Sequence, residues 1–180
     1  MRFEEQVIGW NTWDGDHSET LRVRFENGGW TAEGTVGGVD ISYVLRFTEA
    51  WEVRQFLLFR DLEDPDLWLA TDGLGTWGET NGVVRDDLDG CVDIALACTP
   101  FTTGASVRRL QASGLTEHRY RVASIDVETL GITVHEQSLH LVADDQWHHE
   151  SHTTGQSYQF TVDSRGFIVD EPGRFRRSHG

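Results

Sequence analysis

The chain has no lysine: all 15 of its basic residues are arginine. Set against 30 acidic residues they leave a formal net charge of −15 and an isoelectric point near 4.7. A chain this acidic is repelled by phosphate backbones and by anionic lipid surfaces, which argues against a nucleic-acid role and against membrane insertion. The missing lysine itself reads as a coding bias before it reads as chemistry. Apolar residues are also sparse, at 38%, and no run approaches the roughly 20 residues of a membrane span. The opening Met1-Arg2-Phe3-Glu4-Glu5-Gln6 lacks the apolar core of a signal peptide. The expected compartment is the cytoplasm.

Cysteine is nearly absent. Cys91 and Cys98 stand on one alternating stretch with opposite parity, so a disulfide between them would need the strand to fold back on itself. They have no metal-site spacing and read as small buried residues. The motifs of nucleophilic and nucleotide chemistry are missing too: no Gly-x-Ser-x-Gly elbow, no phosphate loop, no dinucleotide fingerprint. Gly73-Leu74-Gly75 follows a strand but opens no helix, and Asp72 and Asp163 read as turn caps. Paired carboxylates are common by chance in so acidic a chain and carry no argument. Helix signals are weak, since no segment holds helical apolar spacing for three turns between a cap and a stop.

Strand signals are everywhere. Leu21–Phe25 alternates with arginine, Asn27-Gly28-Gly29 marks a turn, and Trp30–Val36 returns. Gly37-Gly38 turns again, and Ile41, Tyr43, Leu45 and Phe47 share one face of a third strand. Trp51–Arg60 and Leu67–Thr71 continue the meander across a loop at Asp64-Pro65-Asp66. The second half repeats the pattern. His118–Val122 resembles Leu21–Phe25, Leu139–Leu141 before Trp147 resembles Tyr43–Leu45 before Trp51, and Tyr158–Asp163 resembles Leu67–Asp72. The near-constant offset predicts an internal duplication, residues 1–88 and 111–180, joined by 89–110. At 180 residues and 20.4 kDa, the expectation is one all-β domain: a rolled antiparallel sheet or half-barrel built from two meanders around an interior.

The joining segment is the most distinctive. From Cys91 to Cys98 it alternates, with Val92, Ile94 and Leu96 bulky and Asp93, Ala95 and Ala97 charged or small. Pro100 is expected to end that strand, and Val107-Arg108-Arg109-Leu110 to form a short second one. Asp93 can then face an arginine as a structural ion pair, or leave that arginine to hold a ligand carboxylate or phosphate by its planar fork.

The run Gly90-Cys91-Val92-Asp93-Ile94-Ala95-Leu96, then Thr99-Pro100-Phe101-Thr102, then Arg108-Arg109-Leu110 resembles the bacterial putative glycolipid-binding family. Weaker matches lie at Trp13 with Glu19, at Asp72–Trp77, and from Val162-Asp163 through Gly166, Ile168 and Pro172 to Arg176. Thr103, Ala105, Ser106 and Glu171 depart from the family's usual residues. The resemblance implies a fold similar to bacterial lipoprotein carriers, with a concave apolar interior for a glycolipid or acyl sugar. The partner it implies is thus a hydrophobic or amphiphilic small molecule, with no cofactor. In that picture Trp13, Trp51, Trp77 and Trp147 supply contact surface and Arg108 or Arg109 the polar anchor. Glu19, Asp93, Thr99 and Phe101, at motif positions, complete the ligand-binding set.

Two alternatives stand beside it. A hydrolase would use Asp93 and a histidine as acid and base, and a scaffold would fill its interior with its own side chains. In His148-His149-Glu150-Ser151-His152 the alternate residues His148, Glu150 and His152 share a strand face, but without an evident fourth donor they fall short of a zinc site.

Overall fold

The computed structural model describes residues 4–61 and 63–180; Met1–Phe3, part of the stretch read for a signal peptide, lie outside the described residues. Before the centre come β1 Gln6–Thr12, β2 Ser18–Glu26, β3 Gly29–Val36, β4 Ile41–Thr48, β5 Val53–Phe59, β6 Leu67–Thr71 and β7 Trp77–Glu79. After a 3-10 turn at Asp86–Leu88 follow β8 Cys91–Leu96, α1 Phe101–Ala112 and β9 Glu117–Ile125. The chain closes with β10 Ile132–Ala143, β11 Gln146–Ser151, β12 Ser157–Val162, β13 Ile168–Glu171 and β14 Phe175–His179. The fold is all-β, as expected.

Among the described residues all 14 strands belong to one sheet, in the order β7-β6-β5-β4-β3-β2-β1-β14-β13-β12-β11-β10-β9-β8. The turns are built where the sequence marks them: Asn27 and Gly28 have φ of 53° and 76°, the pair of positive values that a tight hairpin demands. On β4 the buried residues are Ile41, Tyr43, Leu45 and Phe47. The sheet rolls but does not close into a barrel. Its edge strands β7 and β8 meet through the Trp77 indole N–H on the Cys91 carbonyl (2.9 Å) and the Gly90 N–H on the Gly75 carbonyl (3.0 Å), without a ladder.

Three expectations change. Val107–Leu110 is not a strand but part of α1, and Pro100, expected to stop a strand, sits at the helix N-cap. Proline suits the start of a helix, where its missing N–H costs nothing. The helix makes β8–α1–β9 a crossover, so β8 and β9 run parallel. Trp51, expected to open a strand, lies in the β4–β5 turn at φ +64°, its N–H donating to the Thr48 carbonyl at 3.0 Å.

The helix also fills the interior. Phe101 and Ala105 pack into one apolar cluster with residues of β1–β9 and of the β4–β5 turn, Trp51 and Trp77 among them. Val107 and Leu110 pack into a second with Tyr120, Val122, Trp147 and Phe160. α1 is therefore the bridge between two cores, and the hollow expected of a carrier-like roll is occupied by it.

Candidate functional site

Three polar centres surround α1. The first begins on β2, whose alternation places Glu19 on the inward parity with Leu21 and Val23. Glu19 is 4% exposed. The Tyr43 hydroxyl donates to its Oε1 at 2.5 Å and stands 3.4 Å from Thr99 Oγ1, while Oε2 is buried with no partner. Tyr43 can lie flat there because its neighbour across the ladder is Gly34, where a Cβ would come within 2.3 Å of the ring. Burial pushes the Glu19 carboxyl up to about 7, against the pull of Thr99 and Tyr43. Thr99 Oγ1 also accepts the Phe101 N–H at 3.0 Å, tying this centre to the first turn of α1.

The second centre joins β8 to α1. Ser106 Oγ donates to Asp93 Oδ2 at 2.7 Å, and Arg109 donates through Nη2 to Oδ2 at 2.8 Å and through Nε to Oδ1 at 3.1 Å. The Arg109 guanidinium also lies 5.0 Å from the Tyr120 ring centroid. The Asp93 carboxylate is thus taken up within the fold. The hydrolase alternative needs a histidine bonded to Asp93; His118 Nδ1 instead lies 3.5 Å from Arg109 Nη1, on the far side of the ion pair.

Arg108 forms the third. One residue along the helix turns it by about 100°, away from Asp93 and into a cage of aromatic rings. Its guanidinium carbon is 4.1 Å from the Trp51 centroid, 4.8 Å from Phe167 and 5.5 Å from Trp30. Nε and Nη1 are buried without a hydrogen-bond partner. Asp163, the acid whose field reaches it, pairs with Arg177 at 2.9 Å and Arg165 at 3.2 Å. Burial drives the Arg108 guanidinium down to about 10.

The structure therefore brings together Glu19 with Thr99, Asp93 with Arg109, and Arg108 with Trp51, with Phe101 packed among Tyr43, Phe47 and Phe167. The other sequence candidates stand apart. Trp77 and Trp147 are sealed in the two cores at 1% exposure, and Trp13 is 40% exposed beneath the Arg176 guanidinium, 4.0 Å away. In the histidine run, His148 Nε2 bonds Ser157 Oγ at 2.9 Å and His152 Nε2 bonds Ser138 Oγ at 2.6 Å. No group of three His, Cys, Asp or Glu residues gathers as a metal site among the described residues.

A family model described as "Putative glycolipid-binding" matches residues 7–177. The chain belongs to that family. The fold is similar to the crystal structure, at 1.80 Å resolution, of a DUF1089 family protein from Pseudomonas aeruginosa, with a TM-score of 0.70 and 23% identity over 98% of this chain and 95% of that one. At that identity the likeness speaks for the fold. No curated protein matches the chain. Membership of the putative glycolipid-binding family is consistent with ligand binding, and no helix among the described residues is long and apolar enough to cross a membrane.

Several residues of these centres escaped the sequence reading. Tyr43 and Ser106 carried no signal beyond strand parity and helix spacing, and Ser106 needed the helix to be seen first. Phe167 lies between strands, where periodicity is silent. Trp30 was legible as the start of a strand, but not as a neighbour of Arg108.

Proposed function

We propose that this member of the putative glycolipid-binding family binds an amphiphile of the glycolipid or acyl-sugar class and performs no chemistry on it. Arg108 carries the reading. A guanidinium that is desolvated, backed by three rings and left without a carboxylate is costly to keep unless something else compensates it. A strongly polar or anionic headgroup supplies that compensation through paired N–H···O bonds. The indoles beside it offer apolar contact for the adjoining part of the ligand. Arg108 is only partly buried as a residue, so a headgroup can approach the cage from outside.

Trp30 and Trp51 border Arg108 and make intrinsic fluorescence the natural readout. Titration with a lysophosphatidylglycerol should give a saturable change, weakened about tenfold to a hundredfold in Arg108→Met, the range expected for losing hydrogen bonds to a charged group. No saturable response, with a clean apo mass in native mass spectrometry over a panel of lysolipids and alkyl glycosides, would sink the reading.

A further inference from the structure

At the N-terminal end of α1 a cleft of about 130 Å³ opens between β8 and strands β10–β12. Its key side chain is His149, the member of the histidine run whose parity carries it inward. His149 is 5% exposed and stacks on Tyr158 with centroids 4.6 Å apart, which fixes the plane of its ring. Gln137 Nε2 donates to the Tyr120 hydroxyl at 2.9 Å, which turns Gln137 Oε1 toward His149 Nε2, 3.1 Å away. A carbonyl oxygen only accepts, so Nε2 carries the imidazole proton. Burial holds His149 down at about 4, and the ring stays neutral. Nδ1 is then a bare lone pair, buried and without a partner in the protein.

The same cleft is lined by hydroxyls whose oxygens are already occupied. Thr102 Oγ1 accepts the Leu96 N–H at 3.3 Å, Ser151 Oγ accepts the Thr154 N–H at 3.1 Å, and Thr154 Oγ1 accepts the Gln156 N–H at 3.3 Å. Each still has an O–H to give. Arg174, at the cleft edge, is paired with Glu171 at 2.6 Å and lies over Tyr158, so above pH 7, where Glu171 is ionised, its charge is compensated within the fold. The space exceeds the roughly 10–15 Å³ that one water needs and falls short of the roughly 300–1,000 Å³ of a drug-sized site. One fixed acceptor, several hydroxyl donors, a balanced charge and single-ring dimensions match a neutral molecule whose oxygens both donate and accept.

We propose that this cleft binds the ring of a neutral polyol or monosaccharide, with His149 Nδ1 accepting a ligand hydroxyl. The site is separate from Arg108 and does not depend on amphiphile binding there. The test titrates the full chain with glucose, galactose, mannose and myo-inositol, following the His149 ring nitrogens by 15N NMR. The expected result is a saturable shift of Nδ1 with at least one sugar, an affinity at least tenfold weaker in His149→Phe, and no loss in Arg108→Met. If His149→Phe does not fold, the Nδ1 shift in the natural chain decides alone. No shift with any of the four, or an equal affinity in a folded His149→Phe, overturns the proposal. A lysolipid that binds while no sugar does overturns this site and leaves the amphiphile reading standing; a sugar that binds while no lysolipid does has the opposite effect.

Discussion

Arg108→Met should make the protein more stable while removing its anionic-ligand affinity. Burial lowers the guanidinium to about 10, which sets about 3 kcal/mol against the charged form in its cage. Stacking on Trp30, Trp51 and Phe167 returns roughly 1–2 kcal/mol. Methionine has similar reach, carries no charge to desolvate, and gains about 1 kcal/mol of sulfur–aromatic contact. The balance favours the variant by about 2–3 kcal/mol, or roughly 4–12 °C in Tm for a chain of this size. Differential scanning calorimetry at neutral pH reads this directly, with urea unfolding as the isothermal check. A fall in Tm of more than about 5 °C would refute the reasoning: the guanidinium would then be satisfied within the fold and not waiting for a ligand.

Two further outcomes follow from the other centres. Glu19 is raised from 4.5 to about 7 and Glu171 likewise, so between those pH values the unfolded chain releases protons that the folded chain keeps. Stability therefore falls as pH rises from about 4.5 to 7 and levels off above; Glu19→Gln should raise Tm at pH 8 by roughly 6–12 °C and change it little at pH 4.5, and a gain of equal size at both would count against a buried, protonated carboxyl. At the ion pair, Asp93→Leu or Arg109→Met alone should cost about 3–5 kcal/mol by urea denaturation, and the two together less than either single change. Strict additivity in that cycle would mean the two side chains are not coupled.

Where one face meets the core and the other meets water, the sequence was readable. β4 announced its buried Ile41, Tyr43, Leu45 and Phe47, and Asn27-Gly28 announced its turn. α1 hid because nothing about it is one-sided: Phe101 and Ala105 enter one core, Val107 and Leu110 the other, so no apolar stripe forms. Its Thr, Gly and Ser residues are also poor helix formers. The alternation of β8 misled for a related reason. A register shift between Cys91 and Asp93 breaks the parity, and Asp93, Ile94 and Leu96 are all buried because the strand is covered on both sides. A strand over Val107–Leu110 would put Arg108 and Arg109 on opposite faces; the helix separates them as well, and it is the helix that gives one an acid and the other a cage. Glu19 entered only through the family resemblance, although its parity with Leu21 and Val23 pointed the same way. His149 gave no signal of its own, since the metal-like pattern of the run lies on His148, Glu150 and His152, the face turned away from the cleft.

The ladder between β1 and β14 has a consequence for synthesis. These two strands are adjacent in the middle of the sheet, with Trp10 opposite Arg177 and Thr12 opposite Phe175, yet the ribosome makes one near the start of this sequence and the other near its end. While the second half is still emerging, β1 can pair with β2 but shows its other edge bare, an invitation to pair with a neighbouring nascent chain. The seam joins the most distant contacts in the sequence, which also slows folding. Ribosome-bound chains truncated before β14 should therefore be the aggregation-prone species, and the addition of that one strand the step that renders the sheet continuous.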